Sequence, residues 1–101
     1  MTRHLPVVVT ARAAAEIDEA AIWWRANRPA APGAIHEELT RAFSLLAAQP
    51  RIGALARSAR LEGVRRIHLS RVRYRVYYRA TPTAVEILAF WHSSRGRGPD
   101  L

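Results

Sequence analysis

Cysteine is absent from the 101 residues, and so is lysine: all 16 basic side chains are arginine. Without cysteine there is no disulfide scaffold, no thiolate nucleophile and no thiolate metal site, and a reducing, cytoplasmic setting is the simple expectation. No apolar run approaches the roughly 20 residues of a membrane span, so no membrane partner is expected. The opening residues Met1–Pro6 lead only into Val7-Val8-Val9, too short an apolar stretch for a signal peptide. Repeats, low-complexity tracts and internal linkers are missing. So are paired-histidine helical motifs and an acidic cluster in the basic half, so neither a metal nor a cofactor is expected. Gly96-x-Gly98 follows a strand without opening a helix, which excludes a phosphate loop. What is present is enough for one core, since 50% of the residues are apolar. The expectation is one domain over residues 1–101, with a polar, Gly-rich tail that is flexible from about Arg95.

Charge is unevenly placed. Residues 1–50 carry five arginines and five acidic residues, whereas residues 51–101 carry eleven and three, so the net charge of +8 belongs to the second half. An Arg-favouring genome accounts for the absence of lysine but not for this asymmetry. A one-sided basic half fits an anionic partner: nucleic acid, ribosome or an acidic protein segment.

The pattern predicts six elements. Leu5–Val9 reads as a short β-branched strand. Thr10 caps a helix over about Ala11–Ala26, with Ala14, Ile17, Ala21 and Trp24 on one face. Trp24 is expected in the core and Trp23, about 100° round the helix, at its exposed edge. The Asn27–Gly33 segment stops the chain, and either Pro29 or Pro32 fits the first turn of a second helix. That helix carries the stripe Ile35, Leu39, Ala42, Phe43 and Leu46 and ends before Pro50. So short a connection makes the two helices an antiparallel hairpin. Arg51–Glu62 reads as a basic loop. Three strands follow: Val64–Leu69, Tyr74–Arg79 and Val85–Trp91. In the second, Tyr74, Val76 and Tyr78 point one way and Arg75, Tyr77 and Arg79 the other. The third is apolar on both faces and should be central, leaving its free side for the first strand. The fold class is therefore α+β, ordered β-α-α-β-β-β. A helical hairpin covers one face of a small, mainly antiparallel sheet, and the arginines lie on the other face.

Specific residues now resemble a family. Ala14–Trp24, Pro29-Ala30-Ala31 and Leu39-x3-Phe43-x2-Leu46-x3-Pro50 look like the helical half of the RelE/ParE toxin superfamily. Gly63–Ile67, Tyr74–Tyr78 and Glu86–Arg95 look like its sheet. The resemblance covers roughly residues 5–95. It implies the toxin of a type II toxin–antitoxin pair, neutralised by a cognate antitoxin whose disordered arm folds on the toxin. Operator DNA is then bound only through the antitoxin complex. RelE-like members cut messenger RNA on the ribosome, whereas ParE-like members inhibit DNA gyrase.

Metal-free RNA cleavage needs a base, an acid and cations around the phosphorane. Arginine serves only the last role, because it keeps its proton. The lysines and the C-terminal tyrosine used by many RelE-like sites are missing here, which favours the ParE side. The proton-transfer candidates are His68, His92, Tyr77, Tyr78 and Glu86, with His92 foremost; His4 and His36 read as surface positions. A nuclease would use His92 with Arg65 and Arg95 as phosphate clamps. Arg65 equally fits a structural role, paired with a buried carboxylate or stacked on an aromatic ring. Arg66, His68, Arg73, Arg75 and Arg79 are the partner- or phosphate-binding candidates, and a solvated sheet face is the bland reading of the same residues. The leading expectation is gyrase inhibition. The alternatives are a ribosome-dependent endoribonuclease and a non-toxic nucleic-acid-binding module.

Overall fold

Thr10 does two jobs at the first junction of the chain. Its hydroxyl oxygen accepts from the Ala13 N–H at 3.2 Å and its O–H donates to the Ile87 carbonyl at 2.8 Å. The expected helix cap is thus also the tie that holds the helix start to the sheet. The computed structural model describes residues 4–57 and 59–101. Met1–Arg3 of the opening segment lie outside it, as does Ser58 of the basic loop. Its elements are β1 (Val7–Val9), α1 (Ala11–Asn27), α2 (Ala34–Ala48), β2 (Ala54–Leu55), β3 (Val64–Leu69), β4 (Tyr74–Ala80) and β5 (Val85–His92).

The strands form one sheet in the order β1-β5-β4-β3-β2. Only the β1–β5 pair is parallel, with Val7 against Val85 and Val9 against Ile87. The expected three-strand meander is present, and β5 is central. Its two-sided apolar sequence follows from that position: Val85, Ile87 and Phe90 are buried against the helices, and Ala89 is buried on the other face. A bulge in β5, where Tyr77 faces Ala89 and Tyr78 faces Ile87, turns Leu88 and Ala89 together onto that second face.

α1 and α2 cover the first face. Ile35, Leu39, Ala42 and Leu46 are buried as the stripe requires, and Phe43 packs at the margin. Burying side chains of the size of Ile35 and Leu46 stabilises the fold by about 1.5–3 kcal/mol each. The α1 face is rotated from expectation. Ala14 is exposed, while Ala13 and Ala20 make the close contact, with Ile17, Ala21 and Trp24 beside them. Alanine at 13 and 20 lets the helix lie close to β5. Neither proline enters α2. Gly33 is its N-cap, and two turns precede it, with Ala31 N–H donating to the Arg28 carbonyl and Ala34 N–H to that of Ala31. The Trp24 indole also donates to the Ala31 carbonyl at 2.8 Å, fixing the joint one turn before the helix.

The second face differs from a bare arginine surface. Tyr77, expected among the exposed arginines, is 3% exposed and forms a small second core with Val64 and Ala89. The segment after β5, expected to be loose from about residue 95, lies against it. The Arg97 carbonyl accepts from the Trp91 indole at 2.8 Å, and the Asp100 carbonyl accepts from Arg12 at 2.7 Å. The Leu101 side chain packs on the second core, and its carbonyl accepts from Arg60 and Leu61.

Candidate functional site

Register decides which basic side chains meet. β3 pairs with β4 so that Val64 lies opposite Arg79, Arg66 opposite Tyr77 and His68 opposite Arg75. Directly opposed residues share a face, so Arg66, His68 and Arg75 converge on the face away from the helices, around a cleft of about 270 Å³. Arg79 is committed elsewhere. Its Nη2 and Nε donate to Glu86 Oε1 at 2.8 and 3.2 Å. Arg73 sits apart from all of these, on the β3–β4 turn, in the left-handed region at φ 61°. Of the five proposed partner- or phosphate-binding residues, three therefore form one patch.

His92 closes β5. Its ring stands edge-on to Tyr74, with centroids 4.9 Å apart, and Tyr74 is stacked on Phe90 at 4.4 Å. His92 Nδ1 accepts from the Ser94 N–H at 3.1 Å and contacts the Ser94 hydroxyl at 2.6 Å. A nitrogen that accepts a backbone N–H carries no proton, so the neutral ring holds its proton on Nε2. His92, Tyr74, Arg95, Glu16, Glu19 and Trp23 line a cleft of about 200 Å³ between α1 and the end of the sheet. Within it Glu16 is engaged, accepting from the Phe90 N–H at 3.0 Å. That bond occupies the edge of β5 beyond the short β1. Burial pushes the Tyr74 phenol above its ordinary value; nearby Arg95 lowers it, and Glu19 raises it. Arg95 lies with its guanidinium 3.9 Å from the Trp91 ring centroid. His92 and Arg95 are thus brought together, as the nuclease reading requires.

Arg65 is not brought to them. Through Tyr78 it aligns with Ile87, five residues up β5 from His92, roughly 16 Å away along the strand. Its partner is neither a carboxylate nor an aromatic ring. Arg65 Nη1 donates to the Gly53 carbonyl at 2.7 Å, while the Gly53 N–H donates to the Tyr78 hydroxyl at 2.8 Å. Gly53 is buried, and a Cβ there would stand 2.7 Å from that hydroxyl and 2.8 Å from the Arg66 carbonyl. Burial raises the Tyr78 phenol above its usual value, against the lowering effect of the Gly53 bond and of Arg65. Arg65, Gly53 and Tyr78 form a clamp that holds the loop carrying β2 onto β3.

One hollow was not foreseen. A groove of about 630 Å³ runs between α2 and β3, walled by Leu45, Ile52, Ile67 and Leu69 and rimmed by Glu38 and Arg41. Leu45 and Ile52 are 39% and 48% exposed. The floor has an open edge. β2 pairs only with Arg65 and Arg66. The Val64 carbonyl points to the β2 side, where it accepts from Ala56 N–H at 2.8 Å. Alternation then turns the N–H and C=O of His68 to the same side, beyond the end of β2. An extended chain laid in the groove can pair there. The one sequence signal was Ile52, an apolar residue stranded in the basic loop. Among the described residues, no three His, Asp or Glu side chains gather closely enough to hold a metal, and no helix is long and apolar enough to cross a membrane.

Comparison with known proteins bears on the fold and the family. A solved structure of the chromosomal ParDE toxin–antitoxin system from P. aeruginosa contains a chain of the same fold. The two superpose with a TM-score of 0.72 at 20% identity, over 90% of this chain and 98% of that one. None of the curated proteins compared with the chain matches it. The family model for the ParE toxin of type II toxin–antitoxin systems matches residues 7–96, which spans every element from β1 to β5, and the chain belongs to that family.

Proposed function

We propose that this chain is a toxin held by a cognate antitoxin along the α2–β3 groove, and that its target when free is DNA gyrase. The observation that carries the reading is the groove itself: an apolar trough beside an unpaired stretch of β3, with arginine at its rim. An arm that is disordered alone and folds on binding suits such a site, because strand pairing supplies affinity and the apolar wall supplies specificity. Support for a protein-binding rather than a nucleolytic action comes from the separation of Arg65 from His92. The test is a supercoiling assay with purified gyrase, in which the free chain inhibits and the antitoxin complex does not.

A second reading has its own observation. His92, with its proton on the free Nε2, shares a cleft with Tyr74 and Arg95. To protonate a leaving oxygen the ring must first take a second proton, which costs the bond that Nδ1 accepts from Ser94, while Arg95 is a cation for the phosphorane. A ribosome-dependent endoribonuclease cleaves transcripts as wild type and loses that cleavage in His92→Gln, whereas a gyrase inhibitor cleaves none in either form.

A further inference from the structure

Away from the groove, α1 ends in an apolar and cationic surface that the fold does not use. Ile22 and Trp23 are 62% and 48% exposed, adjacent on the outer side of α1. Trp23 also walls a cleft of about 530 Å³ together with Arg28, Arg73 and His92, and with Arg71 and Trp24 at its back. No carboxylate lines this cleft. Arg71 is offset by Glu37 and Glu38, at 3.1 and 3.3 Å, but Arg28 and Arg73 form no ion pair among the described residues. The lining shares no residue with the α2–β3 groove.

We propose that the Trp23–Arg28–Arg73–His92 cleft is the surface by which the toxin engages its target, and that its occupant is an acidic segment of the target protein bearing an apolar anchor. This rests on the reading of the chain as a target-binding toxin. Trp and Arg are the residues that most often dominate protein interfaces, where an anchor is ringed by groups that exclude water. Arg28 and Arg73 carry no ion pair among the described residues and call for negative charge, while Glu16 and Glu19 lie in the adjoining cleft that shares Trp23 and His92. A protein segment fits better than a nucleic acid for two reasons. Ile22 extends the exposed apolar surface past the indole, where a phosphate backbone has nothing to gain. The Arg28 guanidinium already lies 5.5 Å from the Trp23 centroid and 5.9 Å from that of Trp24, so a base stacking from that side would have to displace it.

The experiment compares the wild-type chain with Trp23→Ala and with the double variant Arg28→Glu/Arg73→Gly. The glycine at 73 removes the charge while accepting the φ of 61°. Arg25→Glu, a charge change on α1 outside the cleft, is the control. Each is scored for growth arrest on expression, binding to immobilised gyrase, antitoxin binding and thermal unfolding. The expected result is at least a tenfold loss of gyrase affinity, and loss of arrest, in both cleft variants, with antitoxin binding and melting temperature near wild type. Cleft variants that bind and arrest like wild type overturn the proposal and leave the toxin reading intact. Arrest by wild type without gyrase binding removes gyrase; loss of that arrest in the cleft variants still supports the cleft, and its retention overturns it. Binding of a labelled 12-nucleotide single strand that both variants abolish assigns the cleft to nucleic acid and overturns the protein occupant. A wild-type chain that arrests nothing overturns both readings.

Discussion

Arg65 illustrates how one side chain changes meaning when its neighbours are known. In sequence it is a basic residue on a strand, with phosphate, carboxylate and aromatic partners all open to it. In the structure its guanidinium binds a backbone carbonyl and closes the clamp through Gly53 to Tyr78. Tyr78→Phe leaves the buried Gly53 N–H without its acceptor, and a loss of about 1–3 kcal/mol is expected in chemical denaturation. Gly53→Ala forces a methyl group against that hydroxyl and a backbone oxygen, with a similar cost and a lower melting temperature. The clamp also has a pH signature. Burial raises the Tyr78 phenol in the folded state, so the protonated form is favoured by folding. Its contribution is complete below the unfolded tyrosine value of 10.0 and is lost as the pH rises through the higher folded value. Between 10.0 and that higher folded value, unfolding free energy should fall less steeply with pH in Tyr78→Phe than in wild type. The presence of Arg65 was legible in the sequence; its partner was not, because no residue pattern shows which carbonyl a guanidinium reaches.

Elements with a full period were readable, and so was the three-residue β1 from its run of valines; the two-residue β2 was not. α2 repeats its stripe over 15 residues, and its buried set matches expectation. β2 has two residues, too few for alternation to show, and was absorbed into the basic loop. α1 fell between these cases: alanines dominate its inner side, so Ala13 and Ala14 carry nearly equal hydrophobic signal and the face was set one residue off. The open edge of β3 depends on β2 being short, so it was invisible for the same reason. Its consequence is testable through the backbone. His68→Pro deletes the N–H that faces the open edge while leaving the β4 side, where Ile67 and Leu69 pair, intact. A drop of about tenfold or more in antitoxin affinity is expected by titration calorimetry, with little change in melting temperature. Unchanged affinity would place the antitoxin arm elsewhere.

Across the whole molecule, the sequence asymmetry of charge becomes an asymmetry of surfaces. Arg66, His68 and Arg75 gather on the sheet face, and Arg28 and Arg73 at the end of α1, while Arg79 is neutralised by Glu86. Fields of one sign steer oppositely charged partners, and salt screens them. The association rate with an acidic antitoxin arm is expected to fall about tenfold or more between low and physiological salt in stopped-flow mixing, with the dissociation rate changing less.

The parallel pairing of β1 with β5 adds a matter of timing. Val7 waits for Val85, and Thr10 for Ile87, so the sheet cannot be completed until the last strand has left the ribosome. At roughly 5–20 residues per second, synthesis alone spends several seconds between those two strands. During that interval α1 and α2 exist without the surface they bury against. A freshly made chain therefore lacks its finished sheet until the final strand arrives, and on the proposed reading an antitoxin already present can meet the groove while the rest of the fold is still being completed.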